Sequence, residues 1–360
     1  MVLNSISLQN FRSFSKASFE FSKEATVIVG PNGAGKTNLL EAIYLLSTGK
    51  SFRSGIEEDM IRMGREIARV ECRVENDESQ IKLNVVLTRG QIGGERVSRK
   101  KLSVNGLPKR LVDFAGNLQV VLFGPWDMNL ISDSPSVRRK FMDAVLSQTD
   151  REYHRASLSY EKGVRARNKL LERIRDEGAS RGQLLFWNQL LVKNGDYISR
   201  KRAELVQFIN SSDQLSDNHF QLEYDKSAIS EARLDQYAAE EVAAAATLVG
   251  PHRDDVVFRI TNHPFDKLRA SQSPITKNLA TFGSRGEQRM CILWVKLAEL
   301  SFMESTMGAR PLLLLDDIFS ELDHEHREIV MGVIDNQQTI LTTADPHTVT
   351  GLKKAARIEL

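Results

Sequence analysis

The residues Gly30, Pro31, Asn32, Gly33, Ala34, Gly35, Lys36 and Thr37 carry the clearest chemistry in the chain. Glycines at this spacing let backbone N–H groups curl around phosphate oxygens. Lys36 adds a point positive charge, and a helix starting here adds its positive end. Thr37 offers a hydroxyl to Mg²⁺. Far downstream, Arg310-Pro-Leu-Leu-Leu-Leu-Asp316-Asp317 reads as a buried strand of four apolar residues that ends in acid. A carboxylate at the carboxyl end of such a strand stands where a metal beside the phosphates has to be held. Asp316 is the expected metal-side carboxylate. Asp317 is placed to orient or deprotonate an attacking water.

Between these segments lies Ser284-Arg-Gly286-Glu287-Gln288-Arg289, ahead of an amphipathic helix through Ile292, Val295, Leu297 and Leu300. Ser284 and Glu287 have the spacing of a capping box, which would start that helix. Basic residues form two lines: Arg96, Arg99, Lys100, Lys101, Lys109 and Arg110 on a loop, and Arg165, Arg167, Lys169, Arg173 and Arg175 along a helical arm. Such lines can follow a phosphate backbone without reading sequence, and each is equally a solvated charged face. The formal charge of the whole chain, +2, is too small to imply a nucleic-acid partner. Residues 151–202, however, hold thirteen Lys/Arg against six Asp/Glu, which concentrates positive charge locally.

The elements that position these residues follow from periodicity. The first residues alternate like a strand, and Val27-Ile-Val29 runs into the glycine-rich turn and a helix through Leu39, Leu40, Ile43 and Leu46. Residues 67–75 and 80–88 alternate and should pair antiparallel. Leu118 to Phe123 is a short apolar strand. From about 135 to 210 apolar residues recur at three- and four-residue steps, including Leu184, Trp187, Leu191 and Ile198. That pattern predicts amphipathic helices turning near Gly178 to Gly182. A strand at 219–224 and an Ala-rich helix over 232–248 follow. All-apolar strands at 312–315 and 339–341 fit a sheet covered on both faces.

Length allows two or three lobes. Apolar residues at 41% and charged residues at 27% exclude a disordered chain. The two cysteines, Cys72 and Cys291, exclude a disulfide framework and a Cys-x-x-Cys metal site. No apolar run reaches the length of a membrane span, and the first residues lack the basic start and apolar stretch of a secretory signal. A soluble cytoplasmic protein with no membrane partner is expected.

The order P-loop, Ser-x-Gly-Glu-Gln, apolar strand with Asp316-Asp317 and then Ser320-Glu-Leu-Asp323 resembles that of ABC-type ATPases. It is most similar to the RecF family. Asn10-Phe-Arg12-Ser-Phe, Ser51-Phe-Arg53, Phe123-Gly-Pro-Trp-Asp127 with Pro135, Arg138 and Arg139, and Gly250-Pro-His-Arg-Asp-Asp255 carry that resemblance over nearly the whole chain. It implies an α/β fold in which both chain ends, residues 1–125 and 276–360, form a P-loop ABC-type ATPase head. A mainly helical second lobe, residues 126–275, would be inserted between them. Ser284, Gly286, Glu287 and Gln288 would face the γ-phosphate of a nucleotide held by a partner subunit, and Arg12 would reach the bound nucleotide.

The resemblance further implies ATP and Mg²⁺, slow hydrolysis stimulated by DNA, and an ATP-dependent homodimer on double-stranded and gapped DNA. It also implies RecR and RecO as partners in loading RecA. Four departures stand out. Trp126 replaces an expected acid, Asp317 replaces the Glu of transporter ATPases, and Asn262 to Thr281 is long and carries a decoy Ala-Ser-Gln. Thr342-Thr343-Ala-Asp345 lacks the switch His, with His347 read as a surface residue. His252, Arg253 and Asp255 receive no task. The alternative is an ABC-type ATPase subunit driving transport or chromosome maintenance; Asp317 and the absent switch His oppose the first, and an insert too short for a coiled coil opposes the second.

Overall fold

Alternating burial along Val2–Phe11 and full burial along Ala25–Val29 separate two kinds of strand from the outset. The computed structural model describes all residues except 76–78, 216–218, 262–275, Glu321, Asp323, Thr350 and Lys353. Its strands are β1 (Val2–Phe11), β2 (Phe14–Glu20), β3 (Ala25–Val29), β4 (Ile67–Glu75), β5 (Gln80–Thr88), β6 (Gln91–Ile92), β7 (Glu95–Arg96) and β8 (Lys100–Val104). They continue as β9 (Leu107–Lys109), β10 (Val120–Phe123), β11 (His219–Asp225), β12 (Asp255–Thr261), β13 (Lys277–Asn278), β14 (Leu312–Asp316), β15 (Thr339–Thr343) and β16 (Ala356–Glu359). The helices are α1 (Lys36–Thr48), α2 (Leu111–Phe114), α3 (Asn129–Ser132), α4 (Pro135–Thr149), α5 (Arg151–Glu177) and α6 (Leu184–Ser211). The last five are α7 (Glu231–Gln236), α8 (Ala238–Ala244), α9 (Leu279–Phe282), α10 (Arg285–Met307) and α11 (His324–Ile334).

The chain divides into two units, Met1–Asp127 with Glu299–Leu360, and Met128–Ala298. In the first, β2-β1-β4-β5-β8-β9 form an antiparallel sheet and β10-β14-β15-β3-β16 a parallel one. β10, β14, β15 and β3 are buried at every residue, as strands covered on both faces must be. Helix α1 packs against strands of both sheets, and nine of its thirteen residues are buried. A helix enclosed on most sides cannot have a broad polar face, so the polar residues it keeps need partners.

In the second unit α5 and α6 run antiparallel, joined through Gly178 to Gln183 as the glycine spacing predicts. Tyr153 meets Arg202, while Arg167 meets Asn188. A Cβ on Gly195 would lie 2.8 Å from Ile229, so glycine is what lets α6 approach that segment. Strands β11, β12 and β13 form a small antiparallel sheet.

Two expectations need correction. The Ala-rich helix over 232–248 is two short helices, α7 and α8, ending at Ala245 in the left-handed region (φ 50°). Buried Glu241 accepts from Leu248 N–H and from Arg167, which turns the chain where alanine propensity alone would continue the helix. The second seam falls between Ala298 and Glu299, inside α10, and not at 275. The start of α10 packs within the helical unit: Trp294 lies beside Phe220, and Lys296 lies over Phe141. The Ala270-Ser271-Gln272 decoy lies outside the described residues, as do Glu321 and Asp323.

Candidate nucleotide site

Strand β3 ends at Val29, the chain turns through Gly30 to Gly35, and α1 begins at Lys36. Gly33 and Gly35 hold φ values of 86° and 109°, and a Cβ on Gly35 would also lie 2.8 Å from Ser13 Oγ. Only glycine combines that conformation with that approach. A Cβ on Gly33 would meet nothing within 4 Å, so space for a ligand remains against the turn. No side chain caps α1, which leaves its first N–H groups and its dipole available to an anion. Lys36 Nζ donates to Gly30 O (2.7 Å) and Pro31 O (3.1 Å), folding the ammonium over the turn.

The opposite wall is the end of β14. Register pairs Asp316 with Thr342 of β15, and Thr342 with Ile28 of β3. The carboxylate is therefore brought level with the exit of β3, although Thr37 and Asp316 are far apart in sequence. Thr37 Oγ1 donates to Asp316 Oδ2 at 2.7 Å, and Thr342 Oγ1 donates to Oδ1 at 2.5 Å. One hydroxyl and one carboxylate make an incomplete oxygen shell, the kind that Mg²⁺ completes with phosphates and water. Among the described residues no cluster of three or more His, Cys, Asp or Glu could hold a metal unaided. The donor set fits a nucleotide-borne Mg²⁺. Asp317 stands next in a left-handed conformation (φ 51°), its N–H donating to Thr342 O and Oγ1. Such backbone is costly for a non-glycine residue and marks a site held by its surroundings.

Arg12 points its guanidinium to Glu41 on α1, with Nε and Nη2 at 2.7 and 2.6 Å from the carboxylate oxygens. Ser51 also donates to Glu41, and Arg53 donates to Asn38 Oδ1 at 3.0 Å. Sequence reading picked out Arg12 and Arg53 and missed Glu41, whose only signal is a lone charge in an apolar helical run. Thr342 was missed too. Trp126 packs its ring 4.7 Å from Phe52, and a Cβ on Gly124 would collide with the indole. Where an acid was expected, this chain has a stacking residue. His347 is exposed, and its N–H donates to Asp345 Oδ1.

In the helical unit Ser284 and Glu287 close the capping box. Glu287 N–H donates to Ser284 Oγ (3.3 Å), and Ser284 N–H to Glu287 Oε2 (2.7 Å). Gln288 Nε2 donates to Leu279 O. Ser284 and Gly286 remain exposed at this helix start, and nothing stands within 4 Å of a Cβ on Gly286.

The Gly250–Asp255 block is tied into a polar network around buried Asp254 and Arg202. Arg202 donates to Pro251 O, to Asp254 and to Asp143, while Arg138 holds Asp255 with two bonds and Arg139 donates to Asp254 O. Arg253 donates to Thr247 O. His252 Nε2–H donates to the same carbonyl, so its Nδ1 accepts from Tyr160 O–H. Burial favours this neutral ring and pushes its pKa down to about 4.

The basic candidates divide. Arg167 is 2% exposed and spends its guanidinium on Glu241, Asn188 and Thr247, so it is withdrawn as a nucleic-acid contact. Arg202 is buried likewise, and the exposed charge of the arm is smaller than the sequence count. Lys100 is half-buried on Glu57 and Gly49 O, and Arg99 pairs with Glu58. Arg165 and Arg173 are exposed but paired along α5 with Glu161 and Glu177. Arg96, Lys101 and Lys169 are exposed.

Residues 2–360 match the family described as RecF/RecN/SMC N terminal domain. A protein of Thermosynechococcus vestitus named DNA replication and repair protein RecF is 34% identical over 366 residues, covering 95% of this chain and 90% of that protein. The protein of that name in Herpetosiphon aurantiacus is 32% identical, covering 96% and 94%. A solved structure of the recombination mediator protein RecF-ATPrS in the RecFOR pathway superposes with a TM-score of 0.85 at 28% identity, covering 100% of this chain and 96% of that one. An SMC head bound to the C-winged helix domain of ScpA gives 0.50 at 18% identity, covering 96% and 90%, a likeness of fold alone.

Proposed function

The chain belongs to the RecF family, and from that membership we propose an ATP-binding, ATP-hydrolysing recombination mediator that acts in DNA repair. The observation that carries the reading is the meeting of Thr37 with Asp316, itself held by Thr342, beside the P-loop: a hydroxyl and a carboxylate placed together as a partial oxygen shell for Mg²⁺. Thr37 and Asp316 would hold the ion, which supplies positive charge to the phosphate oxygens. Lys36 and the α1 N-terminus take the phosphate charge from the other side. Asp317, on a backbone turned out of the strand direction, orients the attacking water and accepts its proton.

Several finer points belong to the same reading. The protein binds double-stranded DNA at single-strand gaps as a homodimer closed by ATP. Ser284 and Gly286 of each subunit meet the γ-phosphate held by the other. RecR and RecO are the partners with which RecA is loaded, and hydrolysis is slow, stimulated by DNA and timed to release. A solvent-facing Ser284 and Gly286, with nothing within 4 Å of a Cβ on Gly286, support the composite site.

The test is equilibrium binding of an ATP analogue with and without Mg²⁺ in the wild type and in Asp316→Asn, followed by ATP turnover with gapped duplex DNA. Mg²⁺ should tighten binding to the wild type and much less to Asp316→Asn. Equal Mg²⁺ dependence in both would remove Asp316 from the site.

A further inference from the structure

Glu41 is the charge that the apolar character of α1 leaves unexplained. It lies one turn after Thr37, with 0% of its surface exposed. A carboxylate shut away from water is tolerated only when it is paired and hydrogen-bonded. Here it accepts two bonds from Arg12 and one from Ser51, and Arg53 Nη1 stands 3.9 Å away. Asn38, on the same face of α1 at a three-residue step, accepts from Arg53 and donates to Ser13 Oγ at 2.9 Å. The helix that begins at the P-loop thus gathers two guanidinium groups.

The turn that carries Arg12 is itself strained. Asn10 and Arg12 have φ values of 51° and 49°. That conformation persists only where surrounding bonds hold it. Arg12 N–H donates to Met60 O, Arg62 N–H to Asn10 O, and Arg62 Nη1 to Ser13 O. The turn also abuts the P-loop at Gly35 through Ser13. Three of the five N–H groups of the Arg12 guanidinium are committed, two to Glu41 and one to Asp59 O, and the side chain is 19% exposed. Two donors remain uncommitted among the described residues.

We propose that Glu41 is a positioning residue for ATP turnover: its buried carboxylate fixes Arg12 so that the two remaining N–H groups meet the phosphate end of the nucleotide. The proposal rests on the ATP-site reading above. Glu41 does not touch substrate; it sets the direction of a group that does. A fork held by a bidentate pair loses little freedom when it takes up a phosphate oxygen, and such preorganisation acts on the reacting state.

The experiment uses the full chain and measures ATP-analogue affinity and the single-turnover hydrolysis rate constant. The variants are Glu41→Gln, Glu41→Asp, Arg12→Ala, Arg12→Lys and the double Glu41→Gln/Arg12→Ala. Glu41→Gln and Arg12→Ala should each slow hydrolysis by roughly 10- to 100-fold, the scale of one preorganised donor. The double variant should be no slower than Arg12→Ala, because Glu41 acts through Arg12. Glu41→Asp should recover part of the rate, because it keeps the charge on a shorter stem.

A staple of the fold alone would lower Tm while leaving the rate constant near wild type, and its losses would multiply in the double variant. Either result overturns the proposal. Should Glu41→Gln fail to fold, Arg12→Lys decides: one ammonium cannot hold Glu41 bidentately and also reach phosphate, so wild-type hydrolysis there overturns it. Failure of the underlying reading shows separately, as wild-type ATP affinity in Lys36→Met.

Discussion

At the scale of single residues, burial separates charges that look alike in sequence. Lys36 is buried, but its ammonium is spent on the P-loop carbonyls Gly30 O and Pro31 O and, among the described residues, on no acidic partner that the fold needs. Lys36→Met should therefore keep the wild-type Tm while losing about 2 to 3 kcal/mol of nucleotide affinity, as expected for one charge-assisted phosphate contact. Calorimetric titration with an ATP analogue checks it, and unchanged affinity would contradict the site. Arg167 is the opposite case. Arg167→Ala leaves Glu241 buried without its ion-pair partner and should cost about 3 to 5 kcal/mol of stability. Urea unfolding measures that loss, and a surface-like cost near zero would restore Arg167 to the exposed arm.

His252 adds a pH dependence with a definite sign. Its folded pKa, about 4, lies below the ordinary 6.5. Between these values the unfolded chain takes up a proton that the folded chain refuses, so stability falls as pH drops from about 6.5 toward 4. The contribution is fully present above that window. His252→Gln should show a shallower loss over the same range by denaturant titration. An identical slope would mean that other groups dominate.

At the scale of elements, the proposed DNA binding would draw on the exposed side of α5. Its buried stripe faces α6 and α8, and Arg165, Lys169 and Arg173 remain on the outer side. Arg165 and Arg173 are held by Glu161 and Glu177 on the same helix, in exposed pairs worth a few tenths of a kcal/mol that DNA phosphates can displace. Reversing all three to Glu should weaken duplex binding regardless of base sequence. The slope of log K against log[salt] should become shallower by about 0.9 for each phosphate that the variant no longer neutralises. A sequence-selective loss, or an unchanged salt slope, would move the interface elsewhere.

At the scale of the whole molecule, the residues of the proposed composite site belong to different units. Lys36, Asp316 and Asp317 lie in the first, while Ser284 and Gly286 lie in the second. Under the proposed dimer, ATP joins subunits because its γ-phosphate meets Ser284 Oγ and Gly286 N–H of the partner, a contact ADP cannot make. Differential contact with one state is what lets a ligand shift an assembly equilibrium. Ser284→Arg should therefore bind ATP as a monomer and fail to dimerise with Mg²⁺ and a non-hydrolysable analogue in sedimentation. Wild-type dimerisation would refute the composite site; loss of monomer binding as well would leave Ser284 only its helix-capping role.

The amino-acid sequence by itself determined the pieces whose chemistry is local. The glycines of 30–35 with Lys36 and Thr37, the apolar run into Asp316, the capping box at 284–287 and the amphipathic stripes of α5 and α6 depend on spacings of a few residues, where backbone geometry dictates what neighbours can do. Only the tertiary structure decided which charges meet water. Arg12 with Glu41, Arg167 with Glu241 and Arg202 with Asp254 are pairs separated by tens of residues, and a surface charge and a buried one are written with the same letter. The unit to which the start of α10 belongs was settled the same way, by Trp294 packing beside Phe220. A helix carries no local mark of where one core ends and the next begins, because that boundary is a property of the packing on either side of it.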